Sequence, residues 1–121
     1  MGNRNIKLGR LGEDIAKKFL EEKGYKIIGR NYKNKYGEID LIVLKENTLT
    51  FVEVKTRLSG QFGLPEDAIN NNKIKKLKNN AAAYMAFKEK EIKSYTIDAV
   101  CIVLNEDYSL KKINHYKNIT I

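Results

Sequence analysis

The chain has few of the residues that support disulfide, thiolate or imidazole chemistry. Its 121 residues include one cysteine, Cys101, and one histidine, His115. A single cysteine excludes an intrachain disulfide framework and a cysteine-based metal site, and its apolar surroundings predict a buried structural thiol. His115 has no second histidine or cysteine at ligand spacing, which predicts a structural or surface role.

Other absences narrow the class of protein. One proline and a hydrophobic content of 42% argue against disorder, so we expect residues 1–121 to form one domain with its own core. No run of ~18 apolar residues could span a bilayer, and no signal peptide opens the chain, so we expect a cytoplasmic protein. No glycine-rich phosphate loop is present, so no nucleotide cofactor is expected.

The net charge of +8 is unevenly distributed along the chain. Residues 1–36 contain ten basic and four acidic side chains, residues 37–68 contain three and six, and residues 69–121 contain ten and five. Basic segments neutralise phosphates and so favour salt-sensitive binding of nucleic acid. The pattern therefore predicts a nucleic-acid footprint around an acidic centre; a lysine-rich solvated surface is the alternative.

The segment from residue 37 to residue 57 is predicted to form two strands joined by a short polar break. Apolar residues occupy both alternations of residues 39–44, which is typical of a strand buried on both faces. The next strand also has apolar residues at both alternations, so it too is predicted to be buried on both faces. If Glu46-Asn47 forms a two-residue turn, with Asn47 tolerating the positive φ that such turns need, the numbers of paired residues sum to 93. Asp40 then faces Glu53, and Glu38 faces Lys55.

Two opposed carboxylates inside a hydrophobic sheet need a nearby positive charge to offset their repulsion. Cβ atoms of directly opposed residues lie ~4.5–5.5 Å apart, so Asp40 and Glu53 could share one ion. Oxygen-only ligands favour Mg²⁺ or Mn²⁺, and a nearby lysine such as Lys55 can help to activate a water for phosphodiester attack. The alternative interpretation is a salt-bridged strand pair at the solvated end of the sheet.

The remaining patterns predict helices on a mixed sheet. An apolar stripe over residues 8–23 predicts a first helix that ends at Gly24, and residues 25–33 predict an edge or next-to-edge strand with a bulge at Gly29. A second helix is predicted from about residue 66 to residue 90, and two strands follow it. The order of helix, three strands, helix and two strands predicts an α/β fold with a mixed sheet of about five strands flanked by helices.

Two motifs resemble a known family. Asp40, twelve residues and then Glu53-Val54-Lys55 is similar to the D…(D/E)XK signature of the PD-(D/E)XK nucleases, which have the restriction-endonuclease-like fold. The wider sequence, GRLGEDIAKKFLEEKGYKIIGRNYKNKYGEIDLI with TFVEVKTR and a later lysine-rich helix, resembles the YraN family of small bacterial proteins. That family is similar to archaeal Holliday junction resolvases.

The resemblance implies a divalent-metal-dependent endonuclease that acts on branched or structured DNA, and it suggests a homodimer. It implies that Asp40 and Glu53 hold Mg²⁺ or Mn²⁺, assisted by the Val54 carbonyl, and that Lys55 orients the water. Glu13, on the first helix, is implied as a further acidic member of the site. Arg10, Arg57 and Lys73 are predicted to contact nucleic acid.

Several alternatives stay open at this point. Glu13 could equally be an exposed acid near the start of a helix, Glu38 is a weaker candidate than the other acids, and Arg10 could face solvent. Tyr32 and Tyr36 could stack on bases, or they could be aromatics at the rim of the core. The competing functions are a non-catalytic nucleic-acid-binding module and an adaptor in a DNA repair, recombination or uptake complex.

Overall fold

The computed structural model describes residues 2–61, 63–87 and 94–120, and it contains one five-stranded sheet with a helix on each face. Its elements are α1 (Gly2–Glu22), β1 (Lys26–Asn34), β2 (Gly37–Lys45), β3 (Thr48–Leu58), a 3-10 turn (Pro65–Ala68), α2 (Asn71–Phe87), β4 (Ser94–Leu104) and β5 (Leu110–Tyr116). The predicted order of elements is confirmed. None of the helices in these residues is long and apolar enough to cross a membrane.

The sheet is mixed, with the spatial order β1-β2-β3-β4-β5. Strands β3 and β4 run parallel, and every other neighbouring pair is antiparallel. The parallel pair is continuous from Thr48 opposite Ser94 to Leu58 opposite Leu104. A parallel pair needs a crossover connection, and the segment containing α2 supplies it. The arrangement agrees with the predicted restriction-endonuclease-like α/β fold, and β1 is an edge strand as predicted.

Each face of the sheet packs against one helix. On one face, Ala16 and Leu20 of α1 pack into a cluster with Val52 and other β-branched and leucine side chains of β2, β3 and β4. On the other face, Leu77 and Ala81 of α2 pack in a cluster that includes Phe51. These clusters confirm that β2 and β3 are buried on both faces, because each strand contributes side chains to both cores.

The ends of the helices differ from the prediction in two places. Helix α1 begins at Gly2 instead of at residue 8, because no proline interrupts residues 2–7 and extending a nucleated helix costs little. It ends as predicted, with Gly24 at a positive φ of 93°. Helix α2 begins at Asn71 instead of at residue 66, because Pro65–Ala68 forms a separate 3-10 turn. Its predicted end near residue 90 lies outside the described residues.

The predicted pairing of β2 with β3 is confirmed along most of the hairpin. Lys45 pairs with Thr48 across a two-residue turn, and pairing continues to Leu41 opposite Val52, so the numbers of each pair sum to 93. Among the described residues of the turn, Glu46 takes the positive φ, at 56°, so the placement of that conformation on Asn47 is wrong.

A predicted irregularity in β1 is also confirmed. Ile27 pairs with Val43 whereas Gly29 pairs with Ile42, so β1 has one extra residue between these pairs. Such a bulge bends the strand and increases its local twist.

Gly12 sets the distance between α1 and the sheet. The residue is buried, and a methyl group at its Cα would overlap the Thr56 Oγ1 atom of β3. Only glycine therefore allows the helix to approach β3 this closely. The next residue is Glu13, so this contact also positions that carboxylate relative to the sheet.

Candidate functional site

Three carboxylates meet at one end of β2. Glu13 of α1 and Glu38 and Asp40 of β2 each offer an oxygen, and these oxygens all lie within 4.8 Å of one another. All three residues are half-buried. Like charges at this distance repel, so the cluster, hereafter the acid cluster, needs protons, donors or a cation to be stable.

Asp40 lies where β2 and β3 separate. The pairing of these strands ends at Leu41 opposite Val52, and beyond that pair the Val54 N–H donates a hydrogen bond of 2.8 Å to Asp40 Oδ2. The alternation of β2 also breaks here, because Ile39 and Ile42 enter the same core while Leu41 enters the other. The Asp40 carboxylate thus accepts the Val54 N–H in place of a backbone carbonyl. A regular hairpin pattern does not predict this contact.

Glu53 adds a fourth carboxylate beside Asp40. Burial and the hydrogen-bonding contact with Glu53 raise the pKa of Asp40 to about 9, against the lowering effect of the Val54 N–H. Glu53 itself is only 2% exposed, and Lys73 Nζ of α2 lies 2.8 Å from its Oε2. A proton on Asp40 and the ammonium of Lys73 would therefore reduce the repulsion between the Asp40 and Glu53 carboxylates.

Asn31 and Arg30 of β1 hold the outer members of the acid cluster, and the sequence reasoning missed both. Asn31 Nδ2 donates to both Glu13 oxygens, at 3.1 and 3.3 Å, and to Glu38 Oε1 at 2.8 Å. Arg30 Nε lies 3.3 Å from Glu13 Oε1. Asn31 has a φ of 53°, which asparagine tolerates better than most residues, so an Asn just after the predicted bulge was an available signal.

The pairing predicted for Glu38 is wrong. Because the β2–β3 ladder ends at Leu41, Glu38 does not reach the position opposite Lys55. Its backbone pairs with Lys33 of β1, and its side chain turns to Asn31. This turn brings Glu38 into the acid cluster, although the sequence reasoning ranked it below the other acids.

The structure gathers Glu13, Asp40 and Glu53, and the predicted basic residues lie around them at different distances. Lys55 lies on the same strand face as Glu53, about 7 Å further along β3, and is half-buried. Lys73 is held by Glu53. Arg10 is exposed one helical turn before Glu13, and its carbonyl accepts from Arg30 Nη2 at 3.4 Å. Arg57 is exposed about 13 Å along β3 from Glu53.

Two predicted structural residues lie away from the acid cluster. His115 Nε2 lies 2.7 Å from Asp98 Oδ2, and both side chains are almost fully buried, so His115 has the predicted structural role. Cys101 is buried and free, as predicted. Burial, together with the charges of Glu66 and Glu53, raises the pKa of its thiol to about 12.

The donor set at the acid cluster fits a hard divalent cation. The available atoms are carboxylate oxygens, the donors that such ions prefer. Burial and the contact with Glu53 raise the pKa of Asp40 to about 9, which indicates a position where a cation would offset the repulsion between the carboxylates. Glu13, Glu38 and Asp40 are the residues placed to hold an ion, with Glu53 in contact with Asp40.

Sequence comparison places the chain among bacterial relatives of nearly the same length. Residues 12–102 match the model of the "Uncharacterised protein family UPF0102". The chain is 42% identical over 114 residues to the UPF0102 protein of Syntrophomonas wolfei, which covers 94% of this chain and 97% of that protein. It is 44% identical over 112 residues to a UPF0102 protein of Caldanaerobacter subterraneus, which covers 92% of each.

Proposed function

The chain belongs to the UPF0102, or YraN, family, and from that premise we propose that it is a divalent-metal-dependent endonuclease acting on branched or structured DNA. The observation that carries the proposal is the convergence of Glu13, Glu38 and Asp40 beside the buried Glu53. A protein that needed these acids only for stability would pair each of them with a base. Here the carboxylates outnumber the cations that contact them.

Each side chain has a distinct role in the proposed reaction. A Mg²⁺ or Mn²⁺ ion held by Asp40 with Glu13, Glu38 or Glu53 would supply Lewis-acid stabilisation of the phosphate and a more acidic water. Asn31 keeps Glu13 and Glu38 turned inwards. Lys55, on the Glu53 face of β3, orients the attacking water and stabilises negative charge on the scissile phosphate.

Lys73 has two roles in this scheme. Without a cation it neutralises Glu53 across 2.8 Å. If a cation neutralised Glu53 instead, the Lys73 ammonium would be free to contact a phosphate of the substrate, as predicted for this residue. Arg10 and Arg57 would extend the same contact with the DNA backbone, since both are exposed.

The substrate and assembly follow from the charge and from the resemblance to resolvases. A net charge of +8 favours a polyanion, and binding should weaken as salt rises because counterions are released. Cutting two opposed strands of a four-way junction needs two active sites, so we propose that the chain acts as a symmetric homodimer on such substrates.

The competing function is a DNA-binding module without turnover. The observation that favours it is the Lys73–Glu53 ion pair, which would suffice to keep the buried acid neutralised permanently. This alternative predicts salt-sensitive DNA binding that is unaffected or improved by Glu53→Gln. The nuclease proposal predicts that the same change removes metal-dependent cleavage.

Cleavage of labelled duplex, single-stranded and four-way-junction DNA tests the proposal. Each substrate is incubated with Mg²⁺, Mn²⁺ or EDTA and with the native protein, Glu53→Gln, Lys55→Met or the control Glu21→Ala. Glu21 is an exposed acid of α1. We expect cleavage only with metal, a loss of at least about 100-fold in Glu53→Gln and in Lys55→Met, and native activity in Glu21→Ala.

The outcomes separate the two functions. Metal-dependent cutting that is lost in both site variants, with DNA binding retained, supports hydrolysis and ranks the substrates. Binding without cutting by any preparation contradicts the nuclease proposal and favours the binding module. Equal cutting by native protein and Glu53→Gln would trace the activity to a contaminant.

A further inference from the structure

A pocket of about 620 Å³ lies between the β1–β2 hairpin and the second half of α2. This volume is within the range of pockets that hold small organic ligands. The hairpin and the helix each contribute amide and aromatic or apolar side chains to its walls, which include Tyr32, Asn34, Tyr36, Asn79, Ala83 and Phe87. We call it the hairpin pocket.

Aromatic rings at the rim of the hairpin pocket are exposed to solvent. Phe87 is 82% exposed, the highest value among the exposed large hydrophobic residues of the described chain, and Tyr36 is 42% exposed. Lys35 Nζ lies 5.2 Å from the centroid of the Tyr36 ring. Exposed rings beside a concave surface are typical of binding sites, and the nearby ammonium favours an electron-rich or anionic ligand.

Buried amides without partners lie in and beside the same pocket. Asn34 Nδ2 is buried and has no hydrogen-bond partner within the described parts of the chain. Asn80 is 2% exposed, and its Oδ1 atom is also buried without a hydrogen-bond partner in the described residues. Its Nδ2 atom lies against Gly37 of the hairpin. A buried polar group without a partner costs about 1–3 kcal/mol, so a donor and an acceptor left in this state require explanation.

The hairpin pocket and the acid cluster share two elements. In β1, Asn31 turns to Glu13 on one face, whereas the neighbouring Tyr32 packs with α2 on the other. In α2, Lys73 reaches Glu53, and Asn79 follows about 9 Å further along the helix axis. A nucleic-acid strand with a phosphate at the acid cluster would therefore have neighbouring nucleotides near the pocket.

We propose that the hairpin pocket binds an unpaired nucleobase of the strand whose backbone lies at the acid cluster. The inference rests on the proposed action on DNA, and it makes that substrate more specific, because only a base outside a duplex can enter. Tyr36 and Phe87 stack on the base, the Asn34 amide hydrogen-bonds its edge, and Lys35 neutralises an adjoining phosphate. An apolar partner side chain would use the rings and leave the amides unpaired.

Binding of single strands with and without bases tests this inference. Fluorescence anisotropy is measured in EDTA, so that neither cleavage nor a metal contributes. The probes are a labelled oligothymidylate and a strand of the same length whose central residues lack bases. The native protein is compared with Tyr36→Ala and with Tyr108→Ala, because both tyrosines are 42% exposed and Tyr108 lies in the β4–β5 turn. Thermal melting checks that both variants fold.

We expect the native protein and Tyr108→Ala to bind the base-bearing strand about tenfold more tightly, and Tyr36→Ala to bind both strands equally. Equal binding of the two strands by the native protein overturns the inference, as does the absence of binding or an equal loss in both variants. If base preference is absent while metal-dependent cleavage persists, only the pocket is wrong. If base preference is present without cleavage, only the proposed hydrolysis is wrong.

Discussion

Two regions of the sheet contain inward-facing carboxylates, and the negative charge of these carboxylates is offset differently in each region. At the β4–β5 side, Asp98 receives a contact of 2.7 Å from His115 Nε2 and a hydrogen bond of 2.9 Å from the Asn118 N–H. Both of its oxygens are therefore satisfied. At the β2–β3 side, Asp40 receives one backbone N–H and has other carboxylates as neighbours.

Under the proposed function, the difference separates an acid that stabilises the fold from acids that would hold a cation. The Asp98 and His115 side chains are almost fully buried, and the rings of Phe19 and Tyr25 each lie 6.1 Å from the His115 ring. The acid cluster is half-buried, Asp40 within it has a raised pKa, and Lys73 contacts the neighbouring Glu53. A carboxylate with both oxygens hydrogen-bonded costs less stability than carboxylates that face one another.

The largest predicted effect is at Asp98. Asp98→Ala leaves His115 and the Asn118 N–H without their acceptor in a buried position, so we expect the free energy of unfolding to fall by about 3 kcal/mol. Urea denaturation measures the change, and Glu106→Ala, in an exposed turn, is the control and should change stability little. A loss at Asp98 no larger than that at Glu106 would remove the distinction between the two regions.

A smaller effect is predicted where α1 approaches the acid cluster. Gly12→Ala introduces a methyl group that overlaps Thr56, so we expect a loss of about 2 kcal/mol together with a displaced Glu13 and weaker stabilisation by Mg²⁺ or Mn²⁺.

Gly9→Ala is the matched control for this change. Gly9 lies in the same helix, and a methyl group there would meet no atom within 4 Å apart from its chain neighbours and the adjacent helix backbone, so the better helix propensity of alanine should keep or slightly raise the melting temperature. Similar losses in the two variants would show that helix packing does not position the site.

The last prediction is a pH dependence of the acid cluster. Burial and the contact with Glu53 raise the pKa of Asp40 from 3.8 to about 9, so between these values the folded chain keeps a proton that the unfolded chain releases. The free energy of unfolding should therefore fall as pH rises from about 4 to about 9.

Asp40→Asn tests whether Asp40 causes this pH dependence. The change removes the titrating proton, so the free energy of unfolding should vary less between about pH 4 and about pH 9. A bound divalent cation competes with the same proton, so Mn²⁺ should raise the melting temperature of the native protein more at about pH 8 than at about pH 6. Thermal melting across pH, with and without metal, measures both effects. An unchanged slope in Asp40→Asn would assign the titration to another group.

Much of the fold could be predicted from local patterns. The apolar alternation and the Glu46-Asn47 turn were enough to give the correct register of β2 and β3, and the apolar stripes of the two helices identified their buried faces. These features depend on residues that are close in sequence. The start of α1 could not be predicted in the same way, because residues 2–7 carry weak signals and their helical state depends on continuation from the following turn.

The composition of the site was predicted in part, and its geometry was not. The motif identified Asp40, Glu53 and Lys55, and the resemblance added Glu13. The end of the β2–β3 ladder, the turn of Glu38 to Asn31 and the pairing of Lys73 with Glu53 depend on contacts between separate elements. No spacing rule encodes such contacts, because each depends on how closely one element packs against another.

The continuous parallel ladder between β3 and β4 implies two timescales of backbone opening. Its amides lie at the centre of the sheet and should exchange with solvent only when the whole protein unfolds. Strand β1 is an edge strand with a bulge, and Asn31 within it adopts a left-handed conformation, so it should open more often. Glu53 thus belongs to the slow part of the protein and the Asn31 contacts to the fast part. A cation that joined Glu13, Glu38 and Asp40 would link α1 to β2, the strand between β1 and β3, and should slow the opening of β1.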